Sequence, residues 1–138
     1  MLFASSQKGT IPMKKAGTIL IYNCNDPKFS KMRQIFAMLR LLMRPVSPDK
    51  YDLPLKDLVA GTGEPSANPG EAFPENMLVF CGMSSALLHQ VLDVLRLAGL
   101  PPIHFKAVLT ETNQDWDSRQ LYKELQEEKA AIEAAKSE

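Results

Sequence analysis

The chain has 138 residues, 45% apolar and 23% charged, with 16 basic and 16 acidic side chains and a formal net charge of zero. Such a length fits one domain whose core needs no metal or disulfide support. The balance excludes a wholly disordered or collagen-like chain, and no run approaches the roughly 18 apolar residues of a membrane span.

The zero is a cancellation. Residues 1–51 hold nine Lys/Arg against Asp26 and Asp49 alone, and residues 52–138 hold seven against fourteen acids. This asymmetry suits a basic binding face, a contact between copies, or two solvated helix faces of opposite sign. Cys24 and Cys81 are the only cysteines and form no C-x-x-C, which fits a reducing compartment. The opening residues lack the apolar run of a secretory signal, so a cytoplasmic location is expected by elimination.

Residues 1–17 are polar and aperiodic and read as a flexible leader before a single α/β domain spanning 18–138. Met13 stands just ahead of the first apolar run and is a candidate translation start, which would leave residues 1–12 untranslated. Thr18–Cys24 (TILIYNC) has the short β-branched pattern of a buried strand. Asp26-Pro27 then supplies an N-cap and a first helical proline, and Phe29, Met32, Phe36, Leu39 and Met43 recur at helical spacing. Lys28, Lys31, Arg33 and Arg40 make that helix basic outside. Arg44–Ser47 allows a short strand, which Pro45 confines to a sheet edge.

Asp49–Ala60 suits a short helix, and the Gly- and Pro-rich stretch 61–74 reads as a mobile loop, either a lid or a surface insertion. Its Gly61-Thr62-Gly63 lacks the strand and helix that would frame a nucleotide motif. Asn76–Cys81 (NMLVFC) is a second buried strand. Ser84 or Ser85 caps a helix that ends at Gly99 before two prolines. Ile103–Thr110 alternates and carries Lys106, as suits an edge strand. After a turn at Glu111–Asp117, a last helix places Leu121, Tyr122, Leu125 and Ile132 over an acidic exterior.

This order predicts a small doubly wound, mainly parallel four-stranded sheet of order 2-1-3-4 with helices on both faces. The alternative is a ferredoxin-like α+β sandwich. A parallel centre would gather Asn23, Asn25, Ser47, Gly82, Ser84, Thr110 and Asn113 at one strand-end edge, a candidate ligand site, although capping alone explains most of these residue types. It would also set Cys24 beside Cys81 near helix N-termini, a candidate redox pair; the alternative is two small core residues. His89 and His104 fall too far from either thiol to form a catalytic couple, and no metal-ligand spacing is present.

The runs FPENMLVFCGMS (73–84) and KAVLTETNQDW (106–116), with the helix end LRLAGLP (95–101), resemble a small bacterial family of domains of unknown function, number 3783. Tyr22-Asn23 and Val46-Ser47-Pro48 are similar to its earlier landmarks, so that the likeness covers most of 18–132 and leaves the leader and Gly61–Glu71 outside. The resemblance implies a free-standing α/β unit and no activity. The expected function is a non-enzymatic binding or regulatory module without cofactor or metal, acting on a ligand, a protein partner or another copy. The alternatives are a thiol-dependent enzyme or redox protein using Cys24 and Cys81, and a nucleic-acid binder through the basic first helix. That helix shows no recognised nucleic-acid motif, which disfavours the last.

Overall fold

Two apolar runs build the centre of the sheet, as their two-sided hydrophobicity requires. In the computed structural model, which describes residues 16–136, β1 spans Gly17–Tyr22. A 3₁₀ turn (Pro27–Phe29) leads into α1 (Ser30–Met38) and then β2 (Leu41–Pro45). A second 3₁₀ turn (Pro48–Lys50) precedes the short α2 (Leu55–Ala60). There follow β3 (Met77–Cys81), α3 (Ser85–Leu97), β4 (Phe105–Val108) and α4 (Ser118–Lys136). Residues 1–15, which hold most of the expected leader 1–17 and the candidate start Met13, lie outside the described residues, and Gly17 already belongs to β1.

The sheet order is β2-β1-β3-β4, with the Pro-bearing and Lys-bearing strands at the edges as expected. β1 pairs with β2 in parallel, and β3 with β4 in parallel. Successive side chains of the central strands point to opposite faces. Ile19, Ile21, Leu78 and Phe80 pack with Met32 and Phe36 of α1 and Val91 of α3. Leu20, Tyr22, Met77 and Val79 pack on the other face with Leu55 and Leu58 of α2 and Leu121 of α4. Helices therefore cover both faces, and the ferredoxin-like alternative is excluded.

One relation differs from expectation. The central pair is antiparallel, with Thr18 opposite Cys81 and Tyr22 opposite Met77. The reason lies in the connection. α2 has six residues and spans about 9 Å at 1.5 Å per residue, and the stretch after it is tied to the carboxyl end of β1, where Asn23 Nδ2 donates to Phe73 O and Glu75 O. β3 starts beside that end and runs back from there. A second difference concerns α1, which stops at Met38 because Arg40 takes a left-handed conformation (φ 59°). Leu41–Met43, expected as the last helical turn, becomes strand instead.

Antiparallel centring gives the fold two matching halves, β1-α1-β2-α2 and β3-α3-β4-α4, about an approximate twofold axis between β1 and β3. Asn23 (φ 59°) and Gly82 (φ 67°) both turn the chain left-handed after a central strand. Arg40 and Gly99 (φ 69°) do so after α1 and α3. The Val46 N–H donates to Ile21 O at 2.9 Å, as that of Leu109 does to Phe80 O at 2.9 Å. Pro54 and Asp117 bridge the halves, ahead of α2 and α4 respectively.

Candidate functional site

Where two adjacent parallel strands send their following segments to opposite faces, a crevice opens beyond their carboxyl ends. β1 leads to α1 on one face and β2 to α2 on the other. A cleft of about 340 Å³ lies there, lined by Ile21, Asn23, Cys24 and Asn25 after β1, by Pro45–Pro48 after β2, and by Arg33 of α1. Asn23, Asn25 and Ser47 of the expected site thus meet in one place. Arg33, which the sequence placed on the basic outer face of the first helix, the candidate nucleic-acid surface, joins them from α1; its Nη2 donates to Cys24 O at 3.4 Å. A larger trough of about 440 Å³ lies at the end of α3, among Leu92, Leu95, Leu100 and Ile103. Its Arg96 is engaged by Asp93, and it does not lie at a strand-end switch, where open α/β sheets bind their ligands.

Gly82, Ser84, Thr110 and Asn113 do not belong to this cleft. The antiparallel centre carries them to the opposite end of the sheet, which corrects the expectation of one shared edge. All four have structural duties there. Ser84 caps α3, accepting from the Leu87 N–H at 3.1 Å. The buried Asn113 accepts from the Thr110 N–H (2.8 Å) and donates to Val108 O (3.0 Å), while the Thr110 hydroxyl accepts from the Asn113 N–H. This closes the turn after β4. Gly82 supplies the left-handed turn already described.

The paired-thiol expectation is corrected for the same reason. Cys81 lies opposite Thr18, whereas Cys24 follows the far end of β1. Thr18–Tyr22 alone spans about 13 Å at 3.3 Å per residue, beyond the roughly 7 Å a disulfide tolerates. The two thiols also belong to opposite faces. Burial pushes Cys24 up to about 11, with Arg33 opposing it, and Cys81 up to about 12. Both are therefore protonated near neutrality and poor nucleophiles.

The stretch 61–76 forms no helix or strand and is fastened at its far end. Phe73 stacks between Tyr51 (centroids 4.7 Å apart) and Tyr122 (4.2 Å). Arg119 Nε donates to Glu71 O at 3.2 Å, and the Tyr122 hydroxyl donates to Glu75 Oε1 at 2.7 Å. Asn23 Nδ2 donates to both Phe73 O and Glu75 O at 2.8 Å, so one wall of the cleft also holds this segment. Burial raises the Tyr51 hydroxyl above its ordinary value, with the Asn23 amide and the Arg119 guanidinium opposing.

Asn23 therefore has two separable roles. Asn23→Gly keeps the left-handed turn and removes both hydrogen bonds, for an expected loss of about 2 kcal/mol. Asn23→Ala adds about 1 kcal/mol of backbone strain. Urea unfolding of both variants checks the order; equal stabilities would remove the backbone role.

Fold and cleft together define an α/β domain of two matched halves with helices on both faces and a polar crevice at one strand-end switch. Residues 76–132 match the family model described as Domain of unknown function (DUF3783). The matched segment runs from β3 into α4, the second half; residues 18–60, where the likeness was also expected, lie outside the match. No curated protein and no solved structure shows significant similarity to the chain.

Proposed function

We propose that the protein is a non-enzymatic binding module that holds a small ligand in the cleft beyond β1 and β2. The observation that carries this reading is the convergence of Asn23, Asn25, Arg33 and Ser47 on one cavity from three separate segments. The cavity lies within the usual size range of a small-molecule site and at the position where open α/β sheets bind. It has polar recognition groups and no general base: the only thiol in its lining is held protonated, and neither histidine is in the wall. Two buried free thiols favour a reducing compartment, in our reading the cytoplasm of a bacterium.

The test is a thermal-shift screen of a metabolite library against the full chain. A ligand that prefers the folded state raises the melting point, by the equivalent of about 2.7 kcal/mol at a hundredfold excess over Kd. Ser47→Trp, at an exposed position on the cleft rim, should abolish that shift, and the ligand should be recovered unchanged. Undiminished shifts in Ser47→Trp would place binding elsewhere and overturn the reading.

A further inference from the structure

The twofold relation supplies an internal comparison. Each half has a strand-end switch, one after β1/β2 and its counterpart after β3/β4. Asn25 corresponds to Ser84 and Ser47 to Thr110, polar on both sides. Two of the positions that differ bear most on the cleft: Cys24 corresponds to Met83, and Arg33 to Leu92. Met83 and Leu92 are half-buried and extend the apolar core between α1 and α3. The first half has a small thiol and a cation in their place, and there the cleft is open.

The cation has no structural duty of comparable weight. Arg33 forms no ion pair among the described residues, and its guanidinium donates a long hydrogen bond, 3.4 Å, to Cys24 O. The wall segment Pro45–Val46 is flanked on its other side by Arg44 and Lys50, likewise without carboxylate partners. Arg44 Nε donates to Val59 O at 3.1 Å. The nearby acids are Asp26, which accepts from the Lys28 N–H at 2.9 Å, and Asp49, which accepts from the Ser47 hydroxyl; both keep their charge, and Arg33, Arg44 and Lys50 outnumber them. A polar cleft with an unneutralised guanidinium at its wall and further cations beside it favours negative charge. The guanidinium fork matches the two-oxygen edge of a carboxylate or phosphate.

Resting on the binding reading above, we infer that the β1/β2 cleft recognises the oxyanion of a small molecule, a carboxylate or phosphate held by Arg33. The experiment titrates the ¹⁵N-labelled chain with sodium phosphate, sodium acetate and neutral acetamide at constant ionic strength, following the amides of Asn23, Cys24, Asn25 and Ser47. Phosphate or acetate should shift these amides saturably, whichever saturates first naming the oxyanion, and acetamide should not. Arg33→Gln should weaken binding about tenfold or more, and Arg33→Lys should recover part of it, because charge-assisted contacts to a guanidinium exceed neutral ones. Arg33 is exposed, so both variants should keep the remaining spectrum unchanged. Saturation by acetamide alike, or unchanged affinity in Arg33→Gln, overturns the oxyanion inference and leaves the cleft a binding site. Failure of every probe to saturate these amides also overturns it, and the library screen then decides the binding reading separately.

Discussion

Phe73→Ala is expected to destabilise the protein by about 3–5 kcal/mol, the largest loss foreseen for one side chain outside the sheet. The ring is 6% exposed and lies between two tyrosines at interplanar angles of 15° and 7°. Its removal leaves a ring-sized void that Tyr51 and Tyr122 cannot both fill, since the Tyr122 hydroxyl is held by Glu75 and Gln126. Phe73→Leu restores apolar volume without stacking, and should recover all but about 1–2 kcal/mol. Urea unfolding measures both. Amide exchange at Ser66, whose N–H donates to Asp49 O at 2.7 Å, reports whether the segment loosens with the ring. A loss below about 1 kcal/mol for the alanine variant would mean that the aromatic stack is not what fastens residues 61–76.

The second large effect is alkaline. In the unfolded chain the thiols ionise near 9.0, whereas in the folded protein burial holds Cys24 up to about 11 and Cys81 up to about 12. Above pH 9 the unfolded state therefore binds fewer protons than the folded state. Stability is fully present below that point and falls as pH rises toward 11–12. At about 1.4 kcal/mol per unit, the loss by about pH 10.5 should reach roughly 2 kcal/mol for each thiol. Tyr22, whose buried hydroxyl is also raised, adds to it above pH 10. Urea midpoints at neutral and alkaline pH, with Cys24→Ala and Cys81→Ala each flattening the slope, check the sign and the sources. A midpoint independent of pH across that window would contradict the burial of both thiols.

Much of the architecture was legible because it rests on local pattern. The two-sided apolar runs place β1 and β3 at the centre, and Pro45 and Lys106 send β2 and β4 to the edges. Strand direction was not legible, because it depends on a six-residue helix and on an asparagine that ties Phe73 and Glu75 to the carboxyl end of β1. Nothing in Asn23's type distinguishes that role from capping. Three of the seven expected site residues, Asn23, Asn25 and Ser47, stay together because their placement depended only on the parallel pair β1/β2. The other four needed the central strands to agree in direction, and Gly82, Ser84, Thr110 and Asn113 went with β3 and β4 instead. Arg40 hid the end of α1, since a left-handed non-glycine residue leaves no mark in the helical periodicity of Leu39–Met43.

The stretch from Gly61 to Asn76 joins two β-α-β-α units, each of which alone would leave a hydrophobic central strand with an unpaired edge. Tethering makes each unit's complement a permanent neighbour, at an effective concentration on the order of millimolar, so edge pairing does not depend on how much protein a cell contains. With the frame secured in that way, one unit is free to change while the other stays as ballast. Separate identical subunits could not divide the labour so, because any cleft opened in one would open in both.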